Sequence, residues 1–520
     1  MSRAILGEYV LEGVLKAESP LAVGSGKPGA DLDMTCVRDG LGRLIIPGST
    51  LAGALRQHYG DRPQWGLPPV KSDDPAEKSD TPTWASYLWV DDAPETGAGS
   101  GSTEVRDGVA IDRRTGASAT GYLFTREVVP RGATFALRLR VEAVAPGETV
   151  PGLSRDEAKA WAHDMASRLR EGVALGRATT SGLGRVKLTE PKLTWLESGR
   201  REGFLAWLEG RPSVEAVGEG VGAAATSPDR LRVTVKWKPL SPLVVTVFSN
   251  GLVDAVPQTS GRGTAARLVI PGTSVKGVLR GRAERIVRTL RRADAPEAFA
   301  DQLADDLPPV DWLFGFGPKP KDGERRPGRR GAALVHEVYS SQTLDWRRIA
   351  RILERHPSRE DRVKERAEAG RKLRQELVRI NDHVAVSRWT GGAEDDRLFA
   401  LAAPDPWVSW DDIVIDVDLA RLPRDPRWPD QTRRDAAVMM LILLARDLAE
   451  GWIGLGHATT RGYGEVAAAP QDVKFDLGPA SFTLDQVWPQ DEVAEPYGRY
   501  LEAWRRVTGV DRAHDEGGGR

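Results

Sequence analysis

Apolar and polar positions along the chain fall into one order of elements, and that order occurs twice. Tyr9 to Ala17 and Leu231 to Trp237 read as opening strands, each running into Ser-Pro-Leu at Ser19 or Ser241. After Ile46-Pro-Gly and Ile270-Pro-Gly the pattern turns helical. Leu51 and Leu55, and Val275 and Leu279, stand at i, i+4 spacing and turn one face inward, with Ser49 or Thr50 and Thr273 or Ser274 placed as N-caps. Phe135 to Val141 and Ile413 to Leu419 read as further strands. A second helix then leads to a glycine-rich loop in each copy. In the first copy it starts at Ser154, with Glu157 placed for a capping box, and runs to about Glu171. In the second, Thr432 to Ala449 is apolar nearly all round, which predicts deep burial.

Strand, helix, strands, helix, strand is the ferredoxin-like order, so the expected fold is α+β, with two tandem ferredoxin-like (RRM-like) domains. Three motifs repeat along with the elements. Ile46 to Arg56 matches Ile270 to Arg280 at 6 of 11 positions, and Asp107 to Ala117 matches Asp382 to Gly392 at 6 of 11. Leu175-Gly-Arg-Ala-Thr-Thr-Ser-Gly-Leu-Gly-Arg-Val186 matches Leu455-Gly-His-Ala-Thr-Thr-Arg-Gly-Tyr-Gly-Glu-Val466 at 8 of 12. Repeated loops and helix starts, rather than core faces alone, point to a duplicated binding surface.

The first and middle motifs recur at spacings of 224 and 275 positions, so the second copy carries 51 extra residues between them. The extra material includes the basic, Pro- and Gly-rich run Pro318 to Arg330, expected as a mobile loop, and an interrupted amphipathic helix within Leu344 to Ile380. The expected domains are therefore 1–209, a flexible linker over 210–228, and 229–470 with a charged insertion at about 318–380. Residues 471–520 are expected as a C-terminal extension whose last residues, Asp515 to Arg520, fray.

Composition narrows the class. With 73 Lys+Arg against 74 Asp+Glu there is no global basic field, although a local basic cleft remains compatible with that balance. A single cysteine, Cys36, excludes an intramolecular disulfide framework and a cysteine-cluster zinc site. No apolar run is long enough to span a bilayer, so a cytoplasmic protein is expected with no membrane partner.

The candidate chemistry sits in the repeated motifs. Gly182 and Gly184, and Gly462 and Gly464, permit backbone N–H groups to converge on an anion, with Arg177 and Arg185 flanking the first loop and Arg461 beside the second. The alternative is a tight left-handed turn with no ligand. The helix starts at Ser49, Thr50, Thr273 and Ser274 offer a second anion site, and Arg56, Lys276 and Arg280 lie one to two turns along. The middle motifs begin β-hairpins. Arg113 and Arg388 occupy the same place in both and either touch phosphate or buttress the hairpin, while Trp389 is placed to stack on a base or to pack.

Ile-Pro-Gly-Ser/Thr opening a helix, the middle Val-Ala-Ile-Asp-Arg-x-Thr-Gly, Leu313-Phe-Gly315 and the terminal Gly-x-Gly loop together resemble the RAMP superfamily of CRISPR-associated proteins. Each copy is similar to the backbone subunit of type III effector complexes, and the fusion of two resembles the fused backbone subunits of subtype III-D. The resemblance implies binding of a guide RNA (crRNA) and a complementary target RNA. It also implies assembly with a large polymerase/cyclase-type subunit, other RAMP subunits and a small subunit. The hairpins would be thumbs that wedge between guide and target. It further implies a catalytic aspartate in the loop before each Ile-Pro-Gly, here Asp33 (with Asp31 as rival) and Asp254. That aspartate would cut target RNA by 2′-hydroxyl transesterification, helped by a loosely bound Mg²⁺ or Mn²⁺ held mainly by phosphate and water. No dedicated metal-ligand cluster accompanies either aspartate. Two other readings stay open: a non-catalytic RNA-binding scaffold, and a guide-precursor processing nuclease with His58 or His383 as base.

Overall fold

In this computed structural model the described residues are 4–30, 32–60, 62–66, 83–97, 100–147, 151–209, 213–215, 227–262, 265–321, 324–356, 358, 361–373, 376–489 and 493–509. The fold is mixed α+β with mostly antiparallel sheets. The chain divides into two compact units. One holds Met1–Val105, Arg126–Thr179 and Leu183–Ala225; the other holds Arg106–Thr125, Thr180–Gly182 and Thr226–Arg520.

The first unit is built around the strand Ile5–Ala17, which pairs antiparallel with Thr134–Val144 on one side and Arg185–Glu197 on the other. Tyr9, Leu11 and Leu15 sit opposite Val141, Leu139 and Phe135, and all six are buried. The helix Arg155–Glu171 lays Ala158, Trp161, Ala162, Met165, Ala166 and Leu169 into the same core. Its start is fixed by the capping box expected from the sequence: Glu157 N–H donates to Ser154 Oγ, and Ser154 N–H donates back to Glu157 Oε2 at 2.9 Å. Part of the expected linker differs from that reading, because Ser213–Glu215 adds a strand beside Arg185–Glu197.

The second unit has a five-stranded sheet whose central strand, Arg230–Val235, lies between Ile413–Asp418 and Val473–Leu477. The helix Asp430–Ala449 is buried along nearly its whole length, as its sequence predicts, and shares a core with the helices Gly272–Arg291, Val310–Phe314 and Gly498–Thr508. Two expected boundaries therefore shift. Val473–Leu477 is a core strand and Gly498–Thr508 packs on Asp430–Ala449, so the residues after 470 complete this unit rather than extend from it. The hairpin Glu104–Ile111 with Ser118–Val128 carries the first copy's middle motif, yet residues 106–125 of it belong to the second unit. Asp515 to Arg520 lie outside the described residues.

The insertion splits into parts. Leu344 to Ile380 forms two helices, Trp346–Leu353 and Arg362–Leu373, as an interrupted helix requires, and then enters the second hairpin, Val378–Val386 with Ala393–Pro404. Within the run expected as a loop, Lys319–Lys321 pairs with Glu324–Arg326 and Arg329–Arg330 pairs with Gly315–Phe316.

Both helices after Ile-Pro-Gly begin one residue earlier than the expected caps. Pro47 (φ −58°, ψ 140°) and Pro271 (φ −56°, ψ 140°) hold the N-cap positions, so Ser49, Thr50, Thr273 and Ser274 fall in the first turn and cap nothing.

Candidate RNA-binding site

The two glycine loops are closed turns with the same backbone bonds. In the first unit Leu175 N–H donates to Gly184 O (2.8 Å), Gly184 N–H to Pro20 O (2.8 Å) and Arg177 N–H to Ala22 O (2.9 Å). In the second unit Leu455 N–H donates to Gly464 O (2.9 Å), Gly464 N–H to Pro242 O (2.8 Å) and His457 N–H to Val244 O (2.7 Å). Gly182, Gly184, Gly462 and Gly464 all have φ between 72° and 87°, and a Cβ on Gly184 or Gly464 would overlap the carbonyl of Leu175 or Leu455. The N–H groups of Gly184 and Gly464 are thus consumed inside the turns. Those two N–H groups are therefore closed to an anion.

The helix starts are engaged as well. Gly48 N–H donates to Asp92 Oδ1 at 2.8 Å, so a carboxylate already occupies the positive end of the helix Gly48–Tyr59. In the second unit Gly272 faces the carbonyls of Ser181 and Val335 at a spacing that admits no Cβ. Lys276 Nζ donates to Thr180 Oγ1 at 2.9 Å, and its ammonium is lowered to about 8 by burial first and by Arg280 and Arg330 second. Arg280 is locked between Glu284 (2.7 Å), the Gly315 carbonyl and Asp311 (3.1 Å). Arg113 donates to Glu284 at 3.0 Å, and Arg185 to Glu18 at 2.7 Å. For Arg113 the buttressing role is the one this geometry displays.

The predicted residues that stay open to solvent are Asp33, Ser49, Arg56, Arg177, Asp254, Thr273, Arg388, Arg461 and Gly462. Asp33 lies in a loop tied by Ser25 N–H to Thr35 O (2.9 Å) and Gly29 N–H to Leu32 O (2.7 Å); Asp31 lies outside the described residues. Two arginines border this loop. Arg177 lies against Gly24, and the strand residue Arg126 bridges through its backbone to Met34, the neighbour of Asp33. The Arg126 guanidinium is pushed below its ordinary value by burial first and by Arg177 second. No motif marks Arg126 in the sequence; only the pairing of two distant segments shows it.

In the second unit the acidic loop, the hairpin and the glycine loop meet. Ala400 N–H donates to Asp254 Oδ2 at 2.6 Å, and Asp254 N–H donates to Ala400 O at 2.9 Å. The preceding residue, Phe399, stacks on His383 (centroids 4.9 Å, 15° between planes), and Arg461 lies over the Phe399 ring at 5.7 Å. His383 Nε2 and Asn381 Nδ2 both reach Tyr463 Oη, at 3.1 and 2.9 Å. Asn381 Nδ2 donates to that hydroxyl oxygen. His457 is held below its usual value by burial, Arg461 and His383. The result is a cationic, aromatic patch of the kind that stacks bases and holds phosphates. Across the first hairpin, Phe124 lies over Gly108 as Phe399 lies beside His383, so the two copies share this frame but not its basic groups.

Sequence comparison agrees with the duplicated geometry. The profile of the RAMP superfamily matches residues 14–187 and 261–467, one stretch in each copy and well over half the chain in all. The chain belongs to the RAMP superfamily. No curated protein matches it. RAMP membership makes it a CRISPR-associated RNA-binding subunit, which suits a surface where open arginines and an aromatic stack sit on rigid turns. As a RAMP protein it works with RNA and with other effector subunits. No helix among the described residues is long and apolar enough to cross a membrane.

The donor set for a divalent ion is sparse. Among the described residues no group of three or more His, Cys, Asp or Glu converges, and Asp254 already accepts from Ala400.

Proposed function

We propose that this RAMP protein is a crRNA-binding backbone subunit of a type III CRISPR effector, with two fused units as in subtype III-D, and that it cuts complementary target RNA. The two copies act as ferredoxin-like halves, and the two hairpins as thumbs that part guide and target in the cytoplasm. The observation that carries the reading is the repeated meeting of motifs. In each unit the residue after Leu-Gly, Arg177 or His457, donates its N–H to the segment that leads into the acidic loop, at Ala22 or Val244. The glycine turn and the entry to the acidic loop therefore share one backbone tie in both copies.

In the proposed reaction the ribose 2′-oxygen attacks the adjacent phosphorus, a 2′,3′-cyclic phosphate forms, and the bond to the 5′-oxygen breaks as that oxygen takes a proton from water and leaves as a hydroxyl. Asp33 or Asp254 accepts the 2′-hydroxyl proton, and Arg126 with Arg177, or Arg461 with His457, faces the phosphate charge that builds up. Mg²⁺ or Mn²⁺ arriving with the RNA would supply further charge stabilisation. The test is to map target cuts in the assembled complex with Asp33→Ala and Asp254→Ala separately. Each variant is expected to lose its own subset of cuts; a full set of cuts in both would leave the scaffold reading in place. The processing reading gains a residue from the His383–Tyr463 pair, but the first copy has Gly108 and Leu183 there, and His58 lies exposed at the far end of its helix.

A further inference from the structure

The insertion that only the second copy carries builds a cleft of its own. The helices Trp346–Leu353 and Arg362–Leu373 share a small core with Val253 and Leu344, separate from the main core of the unit. Arg348, Arg351 and Arg355 follow one stripe at i, i+3 and i+7, which faces the second helix across a cavity of about 300 Å³. That volume lies at the lower end of the range for small-molecule sites, roughly 300–1,000 Å³. The floor of the cavity is Leu252, and it is fixed in place. Leu252 N–H donates to Leu353 O at 2.7 Å, and a Cβ on Gly251 would overlap the same carbonyl.

Charge in the cleft is balanced at its ends and not in its middle. Arg348 meets Glu376 at 3.0 Å at one end, and Arg355 meets Glu365 at 3.8 Å at the other. Lys372 turns back along its own helix to Glu368 at 2.6 Å. Arg351, between the two ends, has no hydrogen-bond or ion-pair partner among the described residues. One guanidinium is thus open, and a second, Arg355, is held only by a long contact. A guanidinium fork matches phosphate through two parallel bonds. The rest of the lining is of two kinds. Leu252, Ile352 and Ala369 give an apolar wall, and Glu365 and Glu368 offer acceptors to hydroxyl or amino groups.

We propose that this cleft binds a free nucleoside monophosphate. Its phosphate sits on Arg351 and Arg355, its ribose hydroxyls donate to Glu365 or Glu368, and its base lies on the wall of Leu252, Ile352 and Ala369. A fatty or purely apolar phosphate would leave the two carboxylates facing hydrocarbon. An RNA strand needs a groove that continues past one nucleotide, whereas ion pairs close this cleft at both ends. A triphosphate brings more negative charge than one open and one loosely held guanidinium offset. Binding here does not depend on whether Asp254, two residues after Leu252, cuts RNA.

The test takes the full chain, freed of nucleic acid, and titrates it by calorimetry with AMP, GMP, CMP and UMP in turn. At least one is expected to bind at one site per chain with a Kd below about 1 mM. Arg351→Glu is expected to weaken that binding roughly tenfold or more. Arg347→Glu, on the same helix but outside the cleft, is expected to leave it unchanged. Both arginines are exposed, and matching thermal unfolding curves establish that both variants fold. No binding by any of the four overturns the proposal, and so does an equal loss in the two variants. Inorganic phosphate, ribose 5-phosphate or the unphosphorylated nucleoside binding as tightly as the nucleotide also overturns it. So does displacement of the nucleotide by a short RNA with hydroxyl ends, which would make the cleft part of an RNA track.

Discussion

Ala400 and Asp254 exchange two hydrogen bonds: the Ala400 N–H donates to Asp254 Oδ2 at 2.6 Å, and the Asp254 N–H donates to the Ala400 carbonyl at 2.9 Å. One carboxylate oxygen thus pins the acidic loop to the second hairpin, and a single side chain has a structural and a proposed chemical task. The two tasks separate by substitution. Asp254→Asn keeps an acceptor for Ala400 and is expected to leave thermal stability within about 0.5 kcal/mol while abolishing the cuts assigned to the second copy. Asp254→Ala is expected to lose those cuts and also about 1–2 kcal/mol, because the Ala400 N–H loses its partner. Denaturant titration alongside cleavage mapping checks both. Wild-type cutting by Asp254→Asn would reduce Asp254 to a loop tether.

Arg113 and Arg388 occupy one position in the repeat but live in different surroundings. Arg113 is held by Glu284, whose side chain is 5% exposed, whereas Arg388 lies on an open hairpin tip. Arg113→Ala leaves Glu284 with Arg280 alone and is expected to cost about 2 kcal/mol. Arg388→Ala is expected to leave stability unchanged within about 0.5 kcal/mol. Equal losses in the two variants, read by chemical unfolding of the full chain, would mean that the second tip is also seated in the free protein.

That contrast shows where the sequence is informative. The Ser154–Glu157 box and the buried helix Asp430–Ala449 were legible because their causes are local: a cap three residues wide, and an apolar run with no polar face. The repeated Gly-x-Gly was legible as an anion loop or a tight turn, and the acceptors that decide for the turn, Pro20 and Pro242, lie far away in the chain. Arg113 looked as free as Arg388 because its partner lies 171 positions away. Ser49 and Thr273 looked like caps because propensity favours them, but the proline before each glycine already sets the cap dihedrals. The cation pair Arg126–Arg177 and the stack of His383 on Phe399 exist only once the strands pair, so no motif announces them.

The glycine pairs make a graded prediction. A methyl group at Gly184 or Gly464 meets both a positive φ and a carbonyl in its path, whereas at Gly462 it meets a positive φ and open space. Gly184→Ala and Gly464→Ala are each expected to cost about 3 kcal/mol or more, and Gly462→Ala about 1 kcal/mol. Thermal unfolding of the three variants checks the order. If Gly462→Ala also weakened RNA retention with its fold intact, the open loop would be in contact with the strand it is proposed to hold.

Lys276 provides a pH-dependent test of the seat beneath Thr180. Burial beside Arg280 and Arg330 lowers its ammonium from 10.5 to about 8, so the folded state gives up this proton before the unfolded state does. The sign follows from linkage. Below pH 8 both states are protonated, and the folded chain carries the whole penalty of a desolvated cation, about 3 kcal/mol for a displacement of that size. Between pH 8 and 10.5 the folded state is neutral while the unfolded state is still charged, so the penalty is relieved as pH rises; above 10.5 nothing more is gained. Lys276→Met removes the cation and also the bond to Thr180, so its stability relative to the wild type is expected to be most favourable at pH 7. That advantage should shrink steadily toward pH 10, and urea titrations of both proteins at pH 7, 8.5 and 10 measure it. A difference that stays flat across that range would mean that water reaches the amine, and that the contact between Thr180 and the helix Gly272–Arg291 is open in solution.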